Sequence, residues 1–384
     1  MPGLREHIRE FAMLSRAYCS EIRKKKKEGN KVVCYYGSGV PIEIIHASGA
    51  IQYPLFDGGD SGPSEAALPY LLPFINTQAL YQVGQHVSGL NAATPISDLI
   101  IIDCKECDKV RVGDVFEFLG LPVFKLGVPQ DWKKDYAFNY YILQLNKLKE
   151  QLELVTGESL TDEKLYESIK KYNRIRELLK LIGASRVSHP PIISGEEFIK
   201  LHHYALRSKP EDAIACLDNI YNSLKLSKSS FSEKAPRIMV TGRGFAFGDY
   251  TLLRVIEDSG AVVVTELLDE ATLQPTVAKV EGDPIVNIAS QYYRDMVPSC
   301  LFSPSWKERW EHVDKLITDY NVNGLIYYIL CFDVIYDYEF PIFSQRADNK
   351  GILFEMIESS YDFSREATET LRTRIESFIK ICER

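Results

Sequence analysis

The sequence predicts an α/β protein made of two open, doubly wound parallel-sheet domains joined by a helical insert. Three observations carry this. Short, continuously apolar runs alternate with amphipathic stretches over residues 1–133 and again over 236–384, and strands alternating with helices imply a parallel sheet covered on both faces. Residues 134–235 carry long helical periodicity rich in Leu, Lys and Glu, with no convincing strand. The length of 384 residues also exceeds the size at which single cores stop growing, so two sheet domains each have ample core.

The first domain opens with an amphipathic helix over residues 4–28. A strand at 31–36 ends at Gly37-Ser38-Gly39, and a helix follows at 40–47 with Pro41 in its first turn, where a missing N–H costs nothing. The pattern repeats as strand 51–56, helix 74–87, a strand through Asp98-Leu99-Ile100-Ile101-Ile102 to Asp103, helix 110–119 and strand 122–126. Helices are expected in the insert at 141–155, 161–182, 194–206 and 210–226. The second domain reads as strand 236–242, helix 249–259, strand 261–265, helix 306–321, strand 324–330, strand 352–357 and a closing helix at 366–381.

Composition narrows the function. A hydrophobic content of 45% with 26% charged residues is ordinary for a soluble globular protein. No apolar run is long enough to span a bilayer, and the start, Met1-Pro2-Gly3-Leu4-Arg5-Glu6-His7, lacks the regions of a signal peptide; a cytoplasmic protein with no membrane partner is expected. A net charge of −8 argues against nucleic acid, which needs a concentrated basic surface. The basic run 23–27 reads as the solvated side of the first helix. Eight scattered cysteines do not form a disulfide framework and read as thiols or metal ligands.

The stretch richest in chemistry is Asp103-Cys104-Lys105-Glu106-Cys107-Asp108, which closes a strand and sets two thiols at its carboxyl end. Open α/β sheets place their ligands there. Such a pair can hold zinc, exchange as a dithiol or give thiolates to an iron–sulfur cluster. Cys331, directly after strand 324–330, holds the equivalent place in the second domain. Two sheets facing across a cleft would bring Cys104, Cys107 and Cys331 together as a metal site. Taken singly, a strand-end cysteine is a small buried hydrophobe; Cys19, Cys216 and Cys382, on helices, are read that way, and Cys34 and Cys300 stay in reserve. Gly242-Arg243-Gly244 with Gly248 lacks the spacing of a dinucleotide fingerprint and reads as a glycine turn close to the sheet. His46 reads as a core or helix-surface histidine. His202 and His203 are adjacent on a helix, so they face different sides and make a poor chelating pair.

With these features in view, the chain resembles the 2-hydroxyacyl-CoA dehydratase and benzoyl-CoA reductase family, and its small, beta-type subunits in particular. The matching stretches are Val40-Pro41-Ile42-Glu43-Ile44-Ile45-His46-Ala47-Ser48-Gly49, Cys107-Asp108-Lys109-Val110-Arg111, Pro236-Arg237-Ile238-Met239-Val240-Thr241-Gly242, Val322-Asn323-Gly324-Leu325-Ile326 and Leu371-Arg372-Thr373-Arg374-Ile375-Glu376-Ser377-Phe378-Ile379. They run in family order over nearly the whole chain. The resemblance implies paired subunits, each with two open α/β domains around a [4Fe-4S] cluster, acting on an acyl-CoA thioester by low-potential one-electron reduction. It also implies an ATP-dependent iron–sulfur activator protein as the source of the electron.

Departures from the family pattern bear on the role of this chain. The family carries a cluster cysteine in the loop matching residues 69–76, where this chain has none. Its second, in a Cys-Asp pair, matches Cys107. The third is met only nearby by Cys331, because an ungapped comparison puts Asp333 there, and Cys104 is an addition. The resemblance therefore implies either a three-thiolate site from Cys104, Cys107 and Cys331 or a cluster-free scaffold beside a cysteine-complete, homologous partner in a heterodimer. In both, relay or support is expected rather than substrate activation. A free-standing zinc or dithiol protein is the third class. The aromatic-rich stretch 327–343 is the candidate source of an apolar interface.

Overall fold

The computed structural model, which describes residues 3–303 and 305–383, contains two four-stranded parallel sheets. In the first, β1 (Val32–Tyr36), β2 (Ile51–Pro54), β3 (Leu99–Asp103) and β4 (Val123–Leu126) lie in the order β2-β1-β3-β4. The second repeats the order as β6-β5-β7-β8, with β5 (Arg237–Gly242), β6 (Val262–Leu268), β7 (Gly324–Leu330) and β8 (Leu353–Ser359). Winding reverses between the first and third strand of each sheet. Loops diverge there and leave a crevice at the strands' carboxyl ends.

Every residue of β1, β3, β5 and β7 is buried, because helices cover both faces. This is why these strands are unbroken apolar runs, and each buried isoleucine of Ile100, Ile101 and Ile102 contributes about 1.5–3 kcal/mol. In the second sheet the alternation separates two cores: Ile238, Val240, Ile326 and Tyr328 join the main core, while Met239, Leu325, Tyr327 and Ile329 pack with Trp310 and Phe343 on the other face.

The insert holds four helices, Asp135–Thr156, Asp162–Ala184, Gly195–Leu206 and Pro210–Leu224. Thr161 caps the second, and Ser194 with Glu197 forms a reciprocal capping box on the third. The N-terminal helix, expected over 4–28, divides at Glu21 into Leu4–Ser20 and Ile22–Lys27, and its first part packs on the last two insert helices. The third insert helix meets β6 where a Cβ at Gly195 would lie 2.4 Å from the Cβ of Val263. Nearby, Arg186 donates to both oxygens of Glu266 at 2.7 and 2.8 Å.

Several elements differ from expectation. The strand expected to stop at 265 continues to Leu268, the helix expected from 110 begins at Cys107, and the one expected from 74 begins at Thr77 with Asn76 as its cap. A helix at Val334–Lys350 follows β7 and buries Tyr336, Glu339, Phe343 and Ala347 along one stripe. Short helices at Gly62–Ala66 and Pro284–Ala289 and a π-helical turn at Ser290–Arg294 also go beyond the pattern the sequence predicts. No helix among the described residues is long and apolar enough to cross a membrane.

The two sheets are tied by backbone as well as side chains. Phe247 donates its N–H to Phe56 O at 2.9 Å, and Gly58 returns one to Phe247 O at 3.2 Å, making a parallel bridge between loops of different domains. Behind this loop Asp249 is 2% exposed and accepts from Tyr328 Oη at 2.8 Å, with no cation paired to it among the described residues. Burial pushes its carboxyl up to about 6 from 3.8.

Two outcomes are expected. Gly195→Ala forces the insert helix off β6 and should cost about 1–3 kcal/mol in urea unfolding; an unchanged midpoint would show that the contact yields freely. For Asp249, the folded state holds a proton that the unfolded chain releases above its lower pKa, so this group's stabilisation is full below about pH 4 and is lost as the pH rises through about 6. Asp249→Asn should therefore gain on the wild type over that window, by on the order of 1 kcal/mol per pH unit. Parallel stability curves for the two proteins would refute this.

Candidate functional site

The carboxyl ends of β3 and β5 meet at a buried cluster of seven charged side chains. Domain one supplies Asp103, Lys105, Glu106 and Lys109; domain two supplies Arg243, Glu270 and Asp333, and all are at most 7% exposed. Lys109 Nζ lies 2.8 Å from Glu106 Oε1, 2.5 Å from Glu270 Oε1 and 3.4 Å from Asp103 Oδ1. Arg243 Nη1 donates to Glu106 Oε2 at 2.8 Å, and its Nε lies 3.7 Å from Asp333 Oδ2. Ser38 N donates to Glu270 Oε2 at 2.9 Å, and Gly39 N to Asp103 Oδ2 at 2.7 Å.

Local sequence dictates this convergence. Gly37, at φ +113°, turns the chain after β1, and a Cβ there would lie 2.3 Å from Asp103 Oδ2, so only glycine admits the carboxylate. Glu106 immediately precedes the helix Cys107–Phe118, and Lys109, three residues on, points back at it. Burial opposes ionisation, yet Arg243 and Lys109 hold the carboxyl of Glu106 down at about 2. Burial, against the pull of Arg243 and with Glu106 and Asp108 nearby, lifts Asp333 to about 7.

The predicted thiols sit around this cluster in three different settings. Cys104 ends β3, with its Sγ 3.7 Å from Ile102 O and its thiol pushed up to about 11 by burial and by Asp103, beside Lys125 and Asp114. Cys331 ends β7; burial, the Glu358 carboxylate and a hydrogen bond to it push its thiol up to about 12. Cys107 opens its helix and is exposed. The charged groups around Cys104 are not those around Cys331, and no three His, Cys, Asp or Glu side chains among the described residues form a group able to hold a metal ion. A cluster of the expected kind needs three thiolates around one volume, and Cys104 and Cys331 lie among different neighbours. Of the reserve cysteines, Cys34 is fully buried in β1, and Cys300 donates its N–H to Asp269 Oδ2 at 3.3 Å.

The loop 69–76, the Cys107-Asp108 pair and the segment 331–333 come together at one corner. Asn76, ending the loop 69–76, donates its N–H to Asp108 Oδ2 at 3.3 Å, next to Cys107, and Thr77 N donates to Cys331 O at 3.3 Å. Asp333 neighbours Asn76, Asp108 and Arg243. Around this corner Leu72 and Phe74 are each 74% exposed, Tyr338 is also 74% exposed, and Phe74 meets Phe332 edge-on at 5.8 Å. In the stretch 327–343, Tyr327, Tyr336 and Phe343 belong to the core and the exposed members are Phe332, Val334, Ile335 and Tyr338. Sequence reasoning meets Glu106 and Arg243 only as parts of motifs and does not reach Lys109 or Glu270 as site residues. The signal available is charge at strand ends, with Glu106 and Lys109 at helical spacing.

Comparison with known proteins adds an independent line. The family model described as 2-hydroxyglutaryl-CoA dehydratase, D-component, matches residues 37–381. A benzoyl-CoA reductase subunit of Thauera aromatica is 26% identical over 71% of each chain. The (R)-phenyllactyl-CoA dehydratase beta subunit of Clostridium sporogenes is 21% identical over 93% of each. The (R)-2-hydroxyglutaryl-CoA dehydratase subunit beta of Acidaminococcus fermentans is 21% identical over 89% of this chain and 90% of its own.

Two measurements probe the site. Iodoacetamide on the native protein at pH 8 should label Cys107 first, with Cys104 and Cys331 reacting far more slowly because so little thiolate is present; equal labelling by mass spectrometry would contradict the side-chain placement. Lys109→Met leaves buried carboxylates uncompensated and should cost about 3–5 kcal/mol, with partial recovery in Lys109→Met/Glu270→Leu. A single variant as stable as the wild type would mean the cluster opens to water.

Proposed function

Because the chain belongs to the 2-hydroxyglutaryl-CoA dehydratase D-component family, we propose that it is the supporting subunit of an acyl-CoA dehydratase or benzoyl-CoA reductase type complex, paired with a homologous subunit that carries the full cysteine set. The observation that carries this reading is the identity of the three residues at the family's cysteine places. The loop 69–76 holds no cysteine, an ungapped comparison puts Asp333 at the third place, only Cys107 is a thiol, and Asp333 is tied to Arg243.

On this reading the acyl-CoA thioester, the [4Fe-4S] chemistry and the ATP-dependent iron–sulfur activator are met through the complex, and the residues of this chain do structural work. Lys109, Glu270, Glu106 and Arg243 lock the two sheets together. The exposed Leu72, Phe74, Phe332 and Tyr338 supply an apolar surface around the corner that a partner would cover. The open Cys107 favours a second reading, in which Cys104, Cys107 and Cys331 hold a relay cluster; the engaged thiols of Cys104 and Cys331 weigh against it.

The test is anaerobic purification of the complex, separation of its subunits and metal analysis of each. A one-to-one heterodimer whose iron follows the partner, and whose iron content is unchanged by Cys107→Ala, is expected. Stoichiometric iron or zinc on this chain, or turnover of acyl-CoA by this chain alone, would overturn the proposal.

A further inference from the structure

Glu270 also lines a cavity of about 70 Å³ that none of the predicted thiols reaches. Its walls are Tyr35, Val40, Phe56, Phe247, Leu273 and Met296, drawn from both domains, and Arg176 and Gln291 close it. A space of this size exceeds what one or two waters need and suits a compact body of roughly five or six heavy atoms.

Two of the lining residues carry a buried polar atom with no partner among the described residues. Tyr35 Oη and Gln291 Oε1 are buried and unbonded, on residues 7% and 4% exposed. Leaving such a group unpaired costs about 1–3 kcal/mol each. Gln291 cannot turn its amide round freely, since Nε2 donates to Thr276 O at 2.8 Å and so fixes Oε1 as a free acceptor. The backbone here is also unusual. Gln291 and Tyr292 stand on the π-helical turn Ser290–Arg294, and Ala271 at the rim has φ +58°, a left-handed conformation an alanine adopts at a cost of about 1–2 kcal/mol. Unsatisfied polar atoms, a π turn and a strained residue around one cavity are the marks of a binding site.

The lining also states which chemistry fits. The charges that face the cavity are already answered: Arg176 pairs with Glu43 at 2.5 Å and donates to Tyr292 Oη at 3.0 Å, and Glu270 is held by Lys109 and Ser38 N. Among the described residues no uncompensated cation faces the cavity for a carboxylate, and no free carboxylate for an amine. What is unanswered is one acceptor and one hydroxyl. From this we propose that the cavity binds a small uncharged molecule with an apolar body and a terminal primary amide, whose N–H groups satisfy Gln291 Oε1 and whose carbonyl accepts from Tyr35 Oη. Binding there is independent of the subunit's role in a complex.

Three molecules of one shape separate the possibilities: butyramide, 2-pentanone and butyrate share a propyl chain and a carbonyl and differ only in NH₂, CH₃ or O⁻. Saturation-transfer NMR titration of the full chain should give butyramide a Kd near about 1 mM, 2-pentanone a Kd about tenfold weaker, and butyrate no binding below about 50 mM. Gln291→Leu should weaken the amide about tenfold without moving the ketone much, whereas Tyr35→Phe, which removes the donor to the carbonyl both share, should weaken amide and ketone alike about tenfold. Thr276→Trp, which adds bulk at a half-buried lining position, should abolish both. Equal binding of ketone and amide, butyrate binding as tightly, no amide binding to about 50 mM, or binding that survives Thr276→Trp would each overturn the assignment.

Discussion

The compensation of buried charge between Lys109 and its three carboxylates is the interaction on which the arrangement of this molecule depends. A fully buried ammonium group is tolerable only with close opposite charge, and here one of its partners, Glu270, belongs to the other domain. Arg243 repeats the device in reverse, a cation of domain two answered by Glu106 of domain one. Neither domain could therefore bury its own strand ends without the other. The junction is part of each domain's folding and not a surface added afterwards.

Using one strand order twice has a chemical consequence. Each sheet places its loop after the first strand beside its loop after the third, so glycine turns, Gly37-Ser38-Gly39 in one and Gly242-Arg243-Gly244 in the other, face the segments 103–109 and 331–333. That crevice is where a protein of this class has room for a ligand or a cluster. In this chain it is filled by salt bridges. The cavity lined by Tyr35 and Gln291 lies along the same seam, so two neighbouring parts of one crevice have diverged, one sealed by charge and one left apolar and open.

Strands are the legible part of the sequence. Those buried on both faces, such as Ile100 to Ile102 or Leu325 to Leu330, cannot be written any other way. The helix Val334–Lys350 is not legible, since its buried stripe includes Glu339 while Tyr338 and Ile335 stand outside, which cancels the amphipathic pattern, and Pro341 lies within it. The end of β6 is hidden for a related reason. Glu266 looks like the end of an apolar run, but Arg186 neutralises it bidentately, the strand continues, and the residue beyond it that reaches the junction is Glu270. For the thiols, the strand ends are readable from the pattern of apolar runs. Whether Cys331 turns toward Cys107 or toward Glu358 depends on side-chain direction across the sheet, which no spacing encodes.

The bridge between Asp57 and Phe247 bears on how the molecule can move. Two-domain α/β proteins commonly close on ligands by a hinge, and a hinge requires that the facing loops separate without losing backbone pairing. Here the facing loops share main-chain hydrogen bonds, Phe247 with Phe56 and Gly58, and Thr77 with Cys331. Opening the crevice would strand these amides as well as the charges beneath them, so a motion of lower cost than the swinging of domains is the breathing of a single loop, 271–276, at the cavity's rim. Molecules entering this protein would do so through a door in its wall, with the frame standing still.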